Sequence, residues 1–432
     1  MHNAVAIYNL LQICRHRAEQ LNRRSNMKKH WMLLALAIGL AAGQTKAADT
    51  SIPASRFGKL DHVFLILMEN QTNTDILGNP NAPFINAYSK VANHATNYFA
   101  VGHPSAPNYL EIVGGSNFGL TNDFWPNWVG TGCVDNAPNS KGCANPMAPI
   151  AEAGLDNAVV ATATEASQCN GEVEVKDVAV PNNCALRDYP ATRFTPKSIA
   201  DQLVATHRSW KTYQEDLPTV APGALGVNYS DGAWSNLSPA SVFASGPIQK
   251  LYAVKHNPFA YFRNIQVGQN PELSFARVVD FNGANGLWAD LQNTMPNLSL
   301  IVPNQCHDMH GGVAGGTPIC SSKTDAQRAL LMQQGDAALA QIVGGIKSSP
   351  SWKHGRNVIV VVWDENDFSN AANRVVMLVE TNYAANKKRS NKPYDHFSLL
   401  KTMQAGFGLP CLNHACDATS QVMDEVFGAA GK

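Results

Sequence analysis

Charge is scarce in this chain. Of its 432 residues, 15% are Asp, Glu, Lys or Arg, where about a quarter is usual in soluble domains. With 45% hydrophobic residues, it is not the charge-rich, core-poor kind of sequence that stays disordered. The 33 basic and 33 acidic residues cancel, so no excess of one sign points to nucleic acid or to an anionic membrane surface. Long apolar runs are missing as well. The longest, Trp31 to Gly43, has thirteen residues, short of the roughly 20 that a membrane-spanning helix needs. No pair of the nine cysteines has CxxC spacing, which argues against a small structural zinc module. The absence of internal repeats and of low-complexity tracts excludes solenoid and fibrous architectures.

What is present begins with a targeting pattern. Met27-Lys28-Lys29-His30, the apolar run, and Gln44-Thr45-Lys46-Ala47-Ala48 follow the order cationic, apolar, small. That order marks a secretory signal peptide, with cleavage expected after Ala47. Residues 1–26 are polar, basic and upstream of a plausible start at Met27, and they are set aside as an N-terminal extension. Residues 1–47 hold seven basic residues and one acidic, so residues 48–432 carry 26 basic and 32 acidic residues, a net charge of −6. This remainder is expected to form a single exported domain, periplasmic or secreted, long enough to bury a large core. It keeps eight cysteines, an even number that suggests disulfides behind an export signal. Neighbours along the chain give the simplest pairing: Cys133 with Cys143, Cys169 with Cys184, Cys306 with Cys320, and Cys411 with Cys416.

Short β-branched apolar runs predict strands buried on both faces at 62–68, 158–164, 298–302, 358–363 and 375–379. Helical spacing falls between them, at 106–113, 196–206, 325–347 and 396–406. Alternation of this kind predicts an α/β fold with a mostly parallel sheet covered by helices. The Gly-, Pro-, Asn- and Ser-rich stretches at 117–149 and 218–247 lack periodic apolar residues and read as long loops.

In an open α/β sheet, ligands bind beyond the carboxyl ends of the strands. The run 62–68 leads directly into Glu69-Asn70, and the run 358–363 into Asp364-Glu365-Asn366-Asp367. One such acidic pair is ordinarily a solvated loop. Two pairs, each behind a central strand, would repel unless a cation neutralised them, and a metal site stands as the alternative. Ser105 sits at the start of a helical pattern with Pro107 in its first turn. It is either a helix cap or a nucleophile placed where free N–H groups favour a phosphate. His256 lies in Lys255-His256-Asn257, while His307, Asp308 and His310 lie close together in 303–311. A lone histidine is usually structural, while the spacing of His307, Asp308 and His310 alone also suggests a metal site.

Together these segments resemble the phosphoesterase family that joins secreted acid phosphatases with phospholipase C enzymes, a branch of the alkaline phosphatase superfamily. The matching pieces are HVFLILMEN (62–70), HPSAPNYL (103–110), WKTYQEDLP (210–218), YAVKHNPFAYF (252–262), PNQCHDMHG (303–311), VVWDEND (361–367) and DHFSLLKTM (395–403). They span nearly all of residues 48–432 in the family's order.

The resemblance implies a three-layer, alkaline-phosphatase-like sandwich with long, disulfide-braced loops. It implies Glu69, Asn70, Asp364 and Glu365 as ligands of one divalent ion and Ser105 as the nucleophile. Asn108, His256 and His310 match positions that hold or protonate the phosphate, with Asp308 beside them. An Asn is commoner in place of His307, which is given no role. Oxygen donors alone favour Mg, Ca or Mn over Zn, although zinc with carboxylates stays open. The phospholipases of the family carry C-terminal β-rich domains, and this chain stops soon after DHFSLLKTM. The expectation is a phosphoric ester hydrolase that cleaves phosphomonoesters through a metal-assisted phosphoserine. The alternatives are a phospholipase C acting on phospholipid diesters and a silent binder of phosphorylated ligands. The expected partner is a phosphorylated small molecule or phospholipid, with no nucleic acid and no stable membrane insertion after signal cleavage.

Overall fold

After His62, the run to Met68 has no polar side chain to turn toward water, so it is stable only as a strand covered on both faces. In the computed structural model it is the centre of the sheet. The structure describes residues 50–118, 120, 123, 197–217, 219–221, 224–225, 251–262, 264–265, 268–311, 320, 322, 324–369 and 371–429, all within the unit Thr50–Lys432. Among them, eight strands share one sheet: β1 (His62–Met68), β2 (Asn93–Ala95), β3 (Trp210–Gln214), β4 (Val278–Val279), β5 (Leu298–Val302), β6 (Asn357–Trp363), β7 (Met377–Thr381) and β8 (Arg389–Ser390). Their spatial order is β8-β2-β7-β6-β1-β5-β3-β4. From β6 to β4 every pairing is parallel. Only β7 runs antiparallel to its neighbours, β6 and β2, and β8 pairs with β2 in parallel. The mostly parallel α/β sheet expected from the alternation is therefore present. Every residue of β6 is buried, as is all of β1 after His62, so layers of structure cover both faces of the sheet's centre.

Helices stand at the four predicted patterns, and another stands at Pro83–Val91, where no pattern was predicted. They are α1 (Pro83–Val91), α2 (Ser105–Gly114), α3 (Ile199–Ala205), α4 (Asp325–Ser348) and α5 (His396–Phe407). A capping box of Thr324 and Gln327 starts α4. Asp395 starts α5 by accepting from the Ser398 N–H at 2.7 Å. All ten residues of α2 are buried, and it packs against α5 and the turns Val254–His256 and Pro258–Tyr261. Gly115 ends α2 with φ +75°, and a Cβ there would lie 2.5 Å from the Leu412 carbonyl oxygen, so only glycine lets α2 close against that loop. No helix among the described residues is long and apolar enough to cross a membrane.

One strand expectation shifts and one is untested. The strand predicted at 375–379 lies at Met377–Thr381, because Val375 first donates to the Tyr98 carbonyl outside the large sheet, at 3.1 Å. The strand predicted at 158–164 lies outside the described residues. Of the four expected disulfides, Cys306–Cys320 and Cys411–Cys416 are formed. The pairs Cys133–Cys143 and Cys169–Cys184 also lie outside the described residues.

Candidate active site

Parallel pairing in register, with Met68 opposite Trp363, brings the residues after β1 and β6 to the same sheet edge. The Asp364 N–H donates to the Met68 carbonyl at 2.9 Å, and the Glu69 N–H donates to the Asp308 carbonyl at 2.8 Å. The second bond ties in the loop that follows β5. Glu69, Asp308, Asp364 and Glu365 are all buried within this edge.

Ser105 is the first residue of α2 rather than its cap. That position belongs to Pro104, and no side chain caps the helix. Freed from capping, the Ser105 hydroxyl lies between two carboxylates, 3.0 Å from Glu69 Oε2 and 2.9 Å from Glu365 Oε1. Asn70 stands beside them with φ +46°, a left-handed conformation that asparagine tolerates. Turned with its nitrogen inward, its amide donates to Glu69 Oε2 at 2.9 Å and Glu365 Oε1 at 3.1 Å. Turned with its oxygen inward, it adds a fourth oxygen to a cluster that only a cation would hold together. The Asn70 N–H donates to Asp364 Oδ1 at 3.3 Å, while Asp364 Oδ2 is buried without a hydrogen bond.

Imidazoles also reach the carboxylates. His256 stacks on Tyr109, ring centroids 5.3 Å apart. Its Nε2 lies 3.1 Å from Glu69 Oε1 and its Nδ1 3.4 Å from Asp308 Oδ2. The Asp308 carboxylate accepts from the His310 N–H at 2.7 Å. The disulfide from Cys306 to Cys320 anchors this loop. Ligand atoms of Glu69, His256 and His310 all lie within 4.8 Å of one another, so nitrogen donors join the oxygen set expected from the sequence.

Asn108 departs from its expected place. Its Oδ1 accepts from the N–H groups of Val101 and Gly102, both at 3.1 Å, and its Nδ2 donates to the carbonyls of Gly102 and Pro104. With both acceptor and both donor positions engaged, the amide braces the loop ahead of Ser105 and has none left for a phosphate. His307, given no role from the sequence, pairs with Glu215 at 2.9 Å.

Four residues that sequence reasoning did not assign complete the site. His103 pairs through Nδ1 with Glu365 Oε2 and stacks on Phe368, centroids 4.0 Å apart. His396 Nε2 lies 2.6 Å from the Asp364 carbonyl, and its Nδ1 2.9 Å from the Tyr98 hydroxyl. Lys255 donates from a buried position to Asp123 Oδ2 at 2.9 Å and stands 3.2 Å from His310 Nε2. Asp123 also accepts from the Ala106 N–H at 2.9 Å, within the first turn of α2. His103, Lys255 and His396 lie inside the segments that carried the resemblance. Asp123 has no local signal.

The phosphoesterase family model matches residues 79–410. The chain belongs to the phosphoesterase family. A phosphatidylinositol-3-phosphatase of Mycobacterium tuberculosis is 23% identical over 89% of this chain and 89% of its own length. A probable acid phosphatase of Kluyveromyces lactis is 22% identical over 90% of this chain and 68% of its own. Among solved structures, an alkaline phosphatase superfamily protein from Vibrio parahaemolyticus aligns with a TM-score of 0.44 and 11% identity, covering 88% of this chain and 76% of that one.

This phosphoesterase is thus a phosphoric ester hydrolase, and its electrostatics suit a cation. Burial pushes the carboxyls of Glu69, Asp308, Asp364 and Glu365 above their ordinary range. Asp364 raises Glu69 and Glu365 further, and Glu69 raises Asp308, while His310 and Lys255 partly offset the rise at Glu69 and Asp308. Carboxyls of this kind bind protons in the folded protein that the unfolded chain, with carboxyls near about 4, has released. Their contribution to stability therefore falls as pH rises from about 4 through the raised range. Burial works in the opposite direction on His94, His103 and His396, lowering each to about 4. The informative quantity is the difference between curves with and without a divalent ion, since metal displaces protons from its ligands. The gain in melting temperature on adding the ion to chelated phosphoesterase is expected to grow with pH between about 5 and 8. A gain that is flat or shrinks with pH in thermal unfolding would contradict the carboxylate site.

Proposed function

We propose that this protein is an exported phosphomonoesterase that transfers the phosphoryl group first to Ser105 Oγ and then to water. The observation that carries the reading is the serine hydroxyl itself, buried at the N-terminal end of α2 and held at 3.0 and 2.9 Å between Glu69 and Glu365. A silent binder of phosphorylated ligands has no use for a hydroxyl placed in this way. The relatives' names favour monoesters over phospholipid diesters.

In the proposed reaction Ser105 Oγ attacks phosphorus as its proton passes to a neighbouring carboxylate, and the bond to the leaving oxygen breaks. The positive N-terminal end of α2 and the Lys255 ammonium stabilise the negative phosphoryl oxygens. His310, whose Nε2 faces Lys255, delivers a proton to the departing alkoxide. Water then attacks the phosphoserine as the histidine takes up its proton, the bond to Ser105 Oγ breaks, and the carboxylate returns its proton to that oxygen. Glu69, Asn70, Asp364 and Glu365 would hold a divalent ion, with His256 as a further donor. Such an ion would neutralise the carboxylates and make the serine more acidic. A nitrogen donor gives zinc a place beside Mg, Ca and Mn.

The test uses protein recovered outside the cytoplasm of the producing cell. It is expected to begin at Ala48 and to release phosphate from 4-nitrophenyl phosphate far faster than phosphocholine from phosphatidylcholine. Faster cleavage of the diester would overturn the monoesterase reading, and an intact Met27 segment would overturn export.

A further inference from the structure

Beside the serine lies a cavity of about 880 Å3 that begins at Asn70 and His310 and extends to Arg328 at the start of α4. Its walls are mainly polar. Gln71, Thr74, Asn79 and Asn81 supply amides and a hydroxyl, and Asp75, Asp325 and Asp367 supply carboxylates. Among the described lining residues, Arg328 and His310 are the only basic side chains. The Arg328 guanidinium is paired with Asp325 and donates to the Ser322 carbonyl at 2.9 Å. Phe368 stands where the cavity meets the site, its backbone at φ +62°. A bulky residue in that region is strained. It is held there by the 2.8 Å bond from its N–H to Asn366 Oδ1 and by its stack on His103.

We propose that this cavity holds the leaving group of the ester, and that this group is an uncharged polyhydroxyl alcohol, a sugar or polyol. The inference rests on the monoesterase reading and deepens it. Amides and carboxylates can accept from and donate to hydroxyls, and an aromatic face suits the C–H side of a sugar ring. An alkyl chain placed there would strip water from these groups without replacing its hydrogen bonds. A second phosphate would face three carboxylates against one guanidinium already paired with one of them.

Fructose 6-phosphate, hexyl phosphate and fructose 1,6-bisphosphate form a matched series, since all three are alkyl phosphates. The expected kcat/KM for fructose 6-phosphate is about tenfold or more above either of the others. Hexyl phosphate or the bisphosphate turned over as well as fructose 6-phosphate would overturn the inference while leaving a monoesterase. Failure to cleave 4-nitrophenyl phosphate would instead remove the reading on which it rests. Asp75→Asn is expected to narrow the gap between fructose 6-phosphate and the bisphosphate several-fold. An unchanged gap in a folded variant would overturn the charge argument.

Discussion

Ser105→Ala is expected to lower kcat by several orders of magnitude, on the order of a millionfold if the serine acts as nucleophiles do in comparable catalytic sets. The size follows from its place in the fold. Ser105 is fully buried, donates within 3.0 Å of two carboxylates and caps nothing. Its loss removes the attacking atom without disturbing the start of α2. The variant should therefore fold and still bind a divalent ion in calorimetry, with a stability cost of about 1–3 kcal/mol from the donor missing beside Glu69 and Glu365. Rapid acid quench of the parent protein should trap phosphate on Ser105, and a chiral phosphate ester should react with retention, because two in-line displacements restore the configuration. Ser105→Thr keeps a hydroxyl and is expected to retain part of the activity. Inversion at phosphorus, or near-normal turnover by the alanine variant, would show that water attacks directly.

Removing the cation is expected to abolish most activity, and Asp364→Ala should reproduce the loss, by about a thousandfold or more, even in excess metal. Four carboxylates buried together repel one another and remain protonated where they can, so without a counter-charge the serine faces acids rather than bases. Asp364 is the sharpest probe because its Oδ2 has no hydrogen bond and its backbone is pinned by His396. Substitution there should remove an ion ligand and leave the strand end in place. Ion binding measured directly separates this from a folding defect: the variant should bind weakly while Ser105→Ala binds normally. Full activity in a protein shown to be free of metal would overturn the site.

The centre of the sheet was legible in the sequence because β1, β5 and β6 are covered on both faces and their composition says so without alternation. Helices α2, α4 and α5 were legible from their spacing and boundaries. The short strands β2, β4 and β8 at the sheet's margins were not, since two or three residues are too few to show a period. Ser105 was visible as a special residue at a helix start, but its local pattern fitted a cap as well as a nucleophile. The folded chain gives the cap position to Pro104 and packs two carboxylates around the serine hydroxyl. Asn108 erred the other way, because the loop that consumes its amide became apparent only when folded.

By itself, then, the sequence determined the α/β class, the central strands and the acidic residues that follow two of them. Those features rest on local periodicity and on burial, which composition reports. Tertiary structure alone decided what surrounds the serine. Glu69 and Glu365 reach it from 36 and 260 residues away, and Asp123 meets Lys255 across 132. The chain records no such distances, which follow from strand register and helix packing. Tertiary structure likewise placed His256 and His310 beside the carboxylates, adding nitrogen to a donor set that the sequence presented as oxygen. The energy of a buried charge depends on which partners lie within a few ångströms, and only the folded chain sets those separations.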